Sequence, residues 1–384
     1  MKLEEKKLLD ITYTLLGVVF YHFKMIAAYF KFSLKGSNSM THISNKEDIK
    51  NGLNYRRDPN YFDVDLSSSG TTGEPTTVWA SPLHWISEQS AQMEYFSNNG
   101  YRFRDKMVIV RGYAPKPGEH FIKRDKIRNF LWISPFHLKK ENMNEILAEL
   151  SGRYFLRGYP SSLELLANLI EGNEITPPQA SFTASETLSQ FQRDRIEKVF
   201  LCRVYDWYGT SEPALLLFQD QSSYPFYKQP LFHCRLDLCV DEPGEAKIVG
   251  ASMWDTLSNL GFYDTGDIAV IKDRKVLSIK GRSSDVVVLS DITVPVTNFL
   301  TVFYGCPGVY RFQIVNYKDI VLFIVRSEDG FEKESLTEEL DKRLGKRNYA
   351  ISGTSDFVQS EFGKTPHFVD QTSVNYRDLR AESS

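Results

Sequence analysis

Apolar residues recur at helical spacing in three stretches of the chain. Met143, Ile146, Leu147 and Leu150 share one helical face, and Gly152 ends the run. Ser161 and Glu164 have the spacing of a capping box in front of Leu165, Leu166, Leu169 and Ile170, which predicts a second helix. A third is predicted from Ser335, with Leu336, Leu340 and Leu344 on one face and Gly345 as its stop. Short runs rich in Val, Ile or aromatics alternate with the helices: Met107 to Val110, part of Lys198 to Asp206, Ala246 to Val249, Ile268 to Ile271, Val286 to Leu289, Phe312 to Val315 and Ile320 to Val325. This mixture predicts an α/β fold. From about Gly281 the pattern reads as a separate small α+β unit: strands, one helix, a final strand and an irregular tail. A joint near 281–285 divides an expected large domain, 1–281, from a small one, 282–384. No fixed-period repeat or low-complexity segment is visible.

The segment 1–36 is apolar and helical in character. Between Ile11 and Leu34 its charge-free part is shorter than the ~20 residues a membrane span needs, because His22 and Lys24 interrupt it. The reading is a packed N-terminal helix, with a membrane-surface or partner-docking helix as the alternatives; membrane association is not expected. Composition supports a folded soluble protein, with 42% apolar and 25% charged residues over 384 positions, enough for two domains. Lys and Arg number 46 against 49 Asp and Glu, a net charge of −3, so the chain lacks the bulk positive field that nucleic-acid binding uses. Cys202, Cys234, Cys239 and Cys306 have neither CxxC spacing nor a dense framework, which fits a reducing, cytoplasmic setting.

Leu66-Ser67-Ser68-Ser69-Gly70-Thr71-Thr72-Gly73-Glu74-Pro75 lies between strand-like YFDVDL and TTVWAS. Its glycines let backbone N–H groups turn inward among clustered hydroxyls, as polyphosphate oxygens require; a solvated Ser/Thr/Gly turn has the same composition. It is not a Walker A loop, and neither is Gly363-Lys364-Thr365, because Val358 stands where that motif needs glycine. Lys364 on its own reads as a surface lysine in an irregular tail. Asp206-Trp207-Tyr208-Gly209-Thr210-Ser211-Glu212 puts an aromatic face, hydroxyls and a carboxylate at a strand end. Tyr263-Asp264-Thr265-Gly266-Asp267 and Gly281-Arg282-Ser283-Ser284-Asp285 read as turns carrying carboxylates and a cation, with an ordinary hairpin and a helix cap or linker as the plain alternatives.

Taken in order, SSSGTTGEP, YGTSE, YDTGD, GRSSD and a late GK resemble the adenylate-forming superfamily of acyl-CoA synthetases, peptide-synthetase adenylation domains and luciferases, over roughly residues 62–370. Within it the chain is most similar to the phenylacetate-CoA ligase type, in its capsule-biosynthesis, CapK-like branch. The likeness rests on Ile133-Ser134-Pro135-Phe136-His137-Leu138, Leu156-Arg157-Gly158-Tyr159-Pro160-Ser161-Ser162-Leu163, and Pro75-Thr76 after the phosphate loop. The resemblance implies a large domain of mixed sheets and helices with a small mobile C-terminal lid, using ATP and Mg2+ to join a carboxylic acid to AMP. The acceptor it implies is CoA, with an amine or a carrier-protein thiol as rivals. Nucleotidyl transfer to a non-carboxylate acceptor such as a phenol, and a catalytically degenerate nucleotide-binding member, are the remaining alternatives.

By the same resemblance, Ser69, Gly70, Thr71, Thr72 and Gly73 would meet the β- and γ-phosphates, and Ser185 and Glu186 would line the adenine pocket. Tyr208 and the adjoining Gly209 would meet adenine, Ser211 the α-phosphate, and Glu212 Mg2+. Asp267 would take the ribose hydroxyls, Arg282 ribose or phosphate, and Lys364 would bridge the acyl carboxylate and the α-phosphate. His137 would sit beside the acyl pocket, with a core histidine as the other reading; Phe136, Tyr159 and Trp207 belong to that neighbourhood. The chain departs from the family pattern at Ser284, the expected hinge of the lid, at Asp291, where glycine is expected beside pantetheine, and at Phe262, where arginine is usual. These departures touch lid rotation and CoA transfer more than adenylation.

Overall fold

Buried strands that are apolar on every residue set the architecture. Met107–Val110 and Tyr154–Leu156 are fully covered, as expected of parallel strands packed on both faces. The structure is a computed structural model that describes residues 3–29, 43–50, 57–66, 78–258, 260–283, 285–289, 292–296, 298–299, 302–303, 306, 309–318, 320–327, 333–344, 349–353, 357–360 and 363–371. The chain begins with α1 (Leu3–Tyr29), β1 (Ile43–Ser44), α2 (Lys46–Lys50), β2 (Val64–Asp65), β3 (Trp79–Ala80) and α3 (Pro82–Asn98). There follow β4 (Lys106–Val110), β5 (Ile122–Asp125), β6 (Phe130–Ile133), α4 (Met143–Glu149), β7 (Tyr154–Gly158), α5 (Pro160–Ile170), β8 (Ser181–Ala184), α6 (Gln190–Phe200), β9 (Val204–Gly209) and β10 (Leu216–Phe218). The remaining elements are β11 (Cys234–Glu242), β12 (Glu245–Ser252), β13 (Phe262–Lys272), β14 (Lys275–Arg282), β15 (Val286–Leu289), β16 (Ile292–Pro295), β17 (Val309–Tyr317), β18 (Val321–Ser327), α7 (Lys333–Leu344), β19 (Tyr349–Ser352) and β20 (Phe368–Gln371).

The largest sheet runs β10-β9-β8-β7-β4-β6-β5. Neighbours from β9 through β8, β7 and β4 to β6 are parallel, and an antiparallel strand closes each edge. One face is covered by α4, α5 and α6 through Ile146, Leu163, Leu166 and Phe200. The other is covered by α3 through Met93, Tyr95 and Phe96. A second sheet runs β1-β13-β12-β11 with β14 on β13, and its core joins Val78, Leu215 and Leu217 to Ile248 and Tyr263. A third, β19-β18-β17-β20, packs on α7 around Phe303, Phe312, Phe323, Leu336 and Leu340, a core drawn wholly from residue 287 onward. The α/β fold class therefore stands.

Several local readings change. The α5 start is not a capping box: Tyr159 is the N-cap, Pro160 opens the helix, and no N-cap side chain bonds the first turn. Glu186 does so instead, accepting from Ser161 N at 3.0 Å and Ser161 Oγ at 2.9 Å, while Glu164 accepts from Gln192 Nε2. Within Lys198–Asp206 the strand part is Val204–Asp206, the start of β9, while Lys198–Phe200 ends α6, whose capping box is Ser189 with Gln192 and whose buried face carries Ile196 and Phe200. The Asp264–Asp267 stretch is not a turn. It lies inside β13, where Gly266 takes φ +73° at an irregularity in the ladder to β12. Likewise Gly281 and Arg282 end β14, with Arg282 opposite Asp267. All four cysteines are free. α1 is long and apolar enough, by length and composition, to cross a membrane over Leu8–Ala28. Ile11, Tyr13 and Ala27 are buried, while Leu8, Val19, Phe23 and Ile26 are more than half exposed.

Candidate active site at the carboxyl edge of the parallel strands

Ligands of open parallel sheets collect outside the carboxyl ends of the strands. Here Arg111 follows β4, Ser134 to His137 follow β6, Tyr159 follows β7, Ser185 and Glu186 follow β8, and Thr210 to Glu212 follow β9. Five separated pieces of sequence thus reach one edge.

Alternate residues of a strand face opposite ways, so Trp207 joins the core under α3 while Tyr208 packs with the core of the second sheet. The Tyr208 hydroxyl donates to Asp267 Oδ2 at 2.7 Å, and Arg282 Nε lies 3.9 Å from Asp267 Oδ1. Burial pushes the Asp267 carboxyl above its usual range, and the Tyr208 hydrogen bond and Arg282 counter it. Glu212 is buried and hydrogen-bonded by the Tyr263 side chain. The turn carrying it is fixed by Thr210 Oγ1 donating to the Glu212 carbonyl at 2.8 Å, which leaves Gly209 and Ser211 exposed. Tyr208, Glu212, Asp267 and Arg282 are therefore brought together.

Ser69, Gly70, Thr71, Thr72 and Gly73 lie outside the described residues, as do Ser284 and Asp291. The base of the Ser/Thr segment is described: Leu66 N donates to Val78 O at 2.8 Å, and β2 pairs with β3. Val78 is fully buried in the same cluster as Leu215, Tyr263 and Tyr208. Both strands of this hairpin thus root beside the Tyr208–Glu212 turn.

Lys364 is not a surface lysine. Gly363 N donates to Ser360 O and Ser360 N to Lys364 O, both at 2.9 Å, which closes a turn in the C-terminal tail. The turn docks on the large sheet: Thr365 N donates to Glu186 Oε1 at 2.7 Å, and Lys364 Nζ stands 5.8 Å from the Tyr159 ring centre. Burial, with help from Arg111 and Arg282, lowers the Lys364 pKa, and Glu186 opposes that shift. Glu186 is a strut: Oε2 accepts from Ser161 N, and Oε1 accepts from both Ser161 Oγ and Thr365 N, which ties the first turn of α5 to the lysine turn, and burial raises its pKa against the pull of Arg311. Ser185 next to it has φ +71° and is exposed, with its Oγ accepting from Arg111 Nη2 at 3.1 Å. His137 bonds Ser134 Oγ through Nδ1 at 3.0 Å and stacks on Phe121, so it is held rigidly but only half-buried.

Two cations were not legible as site residues. Arg111 lies over the Tyr159 ring at 5.0 Å, and its signal was a charge and a glycine directly after the buried run Met107–Val110. Arg157 lies over Phe96 at 5.2 Å and reaches Gln92 Oε1 at 3.5 Å; burial and then Arg111 lower its pKa to about 9. Facing it, Glu88 is pushed up to about 7 by burial, against Arg157 and Gln92. His84 Nε2 is 3.9 Å from Glu88, yet burial holds that imidazole neutral, down to about 3, so no ion pair forms. Because the folded state holds the Glu88 proton more tightly than the unfolded chain does, Glu88 favours folding at low pH and that advantage fades as pH rises through about 7. Relative to Glu88→Gln, the wild type is expected to lose on the order of 2 kcal/mol between about pH 4.5 and 7. Urea unfolding of both proteins across that range checks this, and parallel curves would show that Glu88 does not titrate there.

No protein-family model matches the chain. It is 30% identical to Protein CapK of Staphylococcus aureus over 161 residues, which is 39% of this chain and only 36% of that protein's length. Among solved structures, 2-hydroxyisobutyryl-CoA ligase in the postadenylation state with 2-HIB-AMP has a TM-score of 0.63 at 16% identity, covering 98% of this chain and 91% of that one. ATP-bound MatB from Rhodopseudomonas palustris has a TM-score of 0.55 at 16% identity over 83% of this chain and 67% of that one. At these identities the likeness is one of fold, and that fold is the one these acyl-CoA and adenylate-forming ligases share.

Proposed function

We propose that the protein activates a carboxylic acid with ATP, forming an acyl-adenylate and releasing pyrophosphate. The observation that carries the reading is the position of Lys364. A lysine from the C-terminal tail lies at the carboxyl edge of the parallel strands, beside Tyr159, Glu186 and Arg111 and within the electrostatic reach of Arg282. In the reaction, an acid oxygen attacks the α-phosphorus, the bond to the bridging oxygen breaks, and pyrophosphate carries away the electron pair. Two anions approach each other in that step, so a cation between them lowers the barrier. Lys364 is given that role, with Ser211 on the α-phosphate and the 69–73 segment on the departing phosphates.

Tyr208 supplies a face for adenine, with Gly209 beside it and Ser185 along the pocket, and Asp267 and Arg282 receive the ribose. Among the described residues no cluster of three or more His, Cys, Asp or Glu could hold a metal by itself. Glu212 would hold a Mg2+ ion, which would supply charge neutralisation when bound. His137 borders the acyl group. The adenylate then passes to CoA, an amine or a carrier-protein thiol.

The test is exchange of labelled pyrophosphate into ATP over a panel of aryl, aliphatic and amino acids. Exchange dependent on one acid supports the reading, and no exchange with any acid overturns it. The nucleotide side is checked by Asp267→Asn, which removes a charge from the Tyr208–Asp267–Arg282 group. The expected result is a KM for ATP raised about tenfold or more with a smaller fall in kcat, the pattern of a lost ground-state contact. A KM for ATP unchanged from wild type would remove Asp267 from the site.

A further inference from the structure

We propose, building on the adenylation reading, that the acid carries a second anionic group, and that Arg111 holds it while Lys364 grips the reacting carboxylate. Arg111 and Lys364 come from distant parts of the sequence to one ring: the guanidinium carbon is 5.0 Å and the ammonium nitrogen 5.8 Å from the centre of Tyr159. Two cations on one ring can address the two ends of one compact molecule.

The protein balances these charges only in part. Neither Arg111 nor Arg157 has a carboxylate within 4 Å among the described residues. Arg111 donates to a neutral hydroxyl, Ser185 Oγ, and Arg157 to a neutral amide, Gln92 Oε1. Arg111 lowers the pKa of both Arg157 and Lys364. Of the nearby acids, Glu186 acts on Lys364, and Glu88 is raised to about 7 by burial, so only part of it is ionised near neutrality; Arg111 has neither in contact. Like charges crowded without counter-charge are costly in a partly desolvated place, and they persist where a ligand brings the missing charge.

Tyr208, Asp267 and Arg282, the residues given to ATP, lie toward the second sheet, whereas Arg157 stacks on Phe96 of the core under α3; Arg111 reaches both Ser185 and the Tyr159 ring, so the test below separates its acid and nucleotide roles. A planar guanidinium beside an aromatic ring suits a carboxylate in a bidentate pair. The substrate class is a compact dicarboxylic acid.

The experiment is acid-dependent pyrophosphate–ATP exchange by the full chain with two matched pairs, glutarate against pentanoate and isophthalate against benzoate. The expected result is a kcat/KM at least about tenfold higher for the dicarboxylate of at least one pair. Arg111→Gln is expected to cut that advantage about tenfold through the KM of the acid, with Arg111→Lys intermediate because it keeps charge without the fork. Monocarboxylates exchanged as well as their partners by the wild type would overturn the proposal and leave adenylation standing. So would an Arg111→Gln enzyme whose KM for ATP rises equally with every acid, since Arg111 would then serve the nucleotide. Failure of exchange with all four acids and with the wider panel would overturn the adenylation reading itself, and this proposal with it.

Discussion

Lys364→Ala is expected to slow acyl-adenylate formation by about a hundredfold or more while ATP affinity stays within about threefold of wild type. The ammonium acts where negative charge gathers during the attack on phosphorus, and it contributes little to holding ATP at rest. The fold does not depend on it: its neighbours are the Tyr159 ring and other charges, and the turn is held through backbone groups of Ser360, Gly363 and Thr365. Pyrophosphate exchange measures the first quantity and calorimetric ATP titration the second. An alanine variant that adenylates at the wild-type rate would show that this lysine has no part in the chemistry.

Gly363→Val should act on the same step without touching any charge. Gly363 has φ +77°, a conformation that disfavours a side chain and most of all a β-branched one. A Cβ there would lie 2.9 Å from Pro135 Cβ and 3.2 Å from Pro135 Cγ. The turn must then lift from the Pro135–Phe136 segment, and Lys364 lifts with it. The expected outcome is a loss of adenylation of about tenfold to a hundredfold with only a small change in melting temperature, because the core of the 287–368 unit is elsewhere. Gly353→Ala, at a position with open space around it, is the matched control and should behave as wild type. If the valine variant keeps full activity, docking of this turn is not needed for the reaction.

Of the parallel strands, β4 and the start of β9 were legible, because burial on both faces forces apolar runs such as Met107–Val110, whereas β6, β7 and β8 were not read; the candidate site residues were legible only as strings. Their meeting was not. Thr365 and Glu186 stand 179 positions apart and no local pattern links them. α3 escaped notice because half of its buried residues are polar: His84 bonds Ser252, Ser87 bonds His233, and Glu94 accepts from Leu231 N. Those contacts satisfy buried polar groups while blurring the hydrophobic period. Where α6 ends and β9 begins within Lys198–Asp206 was not legible because the helix stops at Leu201 in a left-handed conformation, with no glycine to announce it. Asp-Thr-Gly-Asp was misread as a turn because a bulge within a strand uses the same residues.

Glu186 has one further implication. Its carboxylate meets two donors on α5 and one on the tail. Two of those three donors belong to α5 alone, so the Glu186 carboxylate would keep most of its partners even if the tail contact were broken, and that contact works as a shallow detent for the lysine turn rather than as a lock.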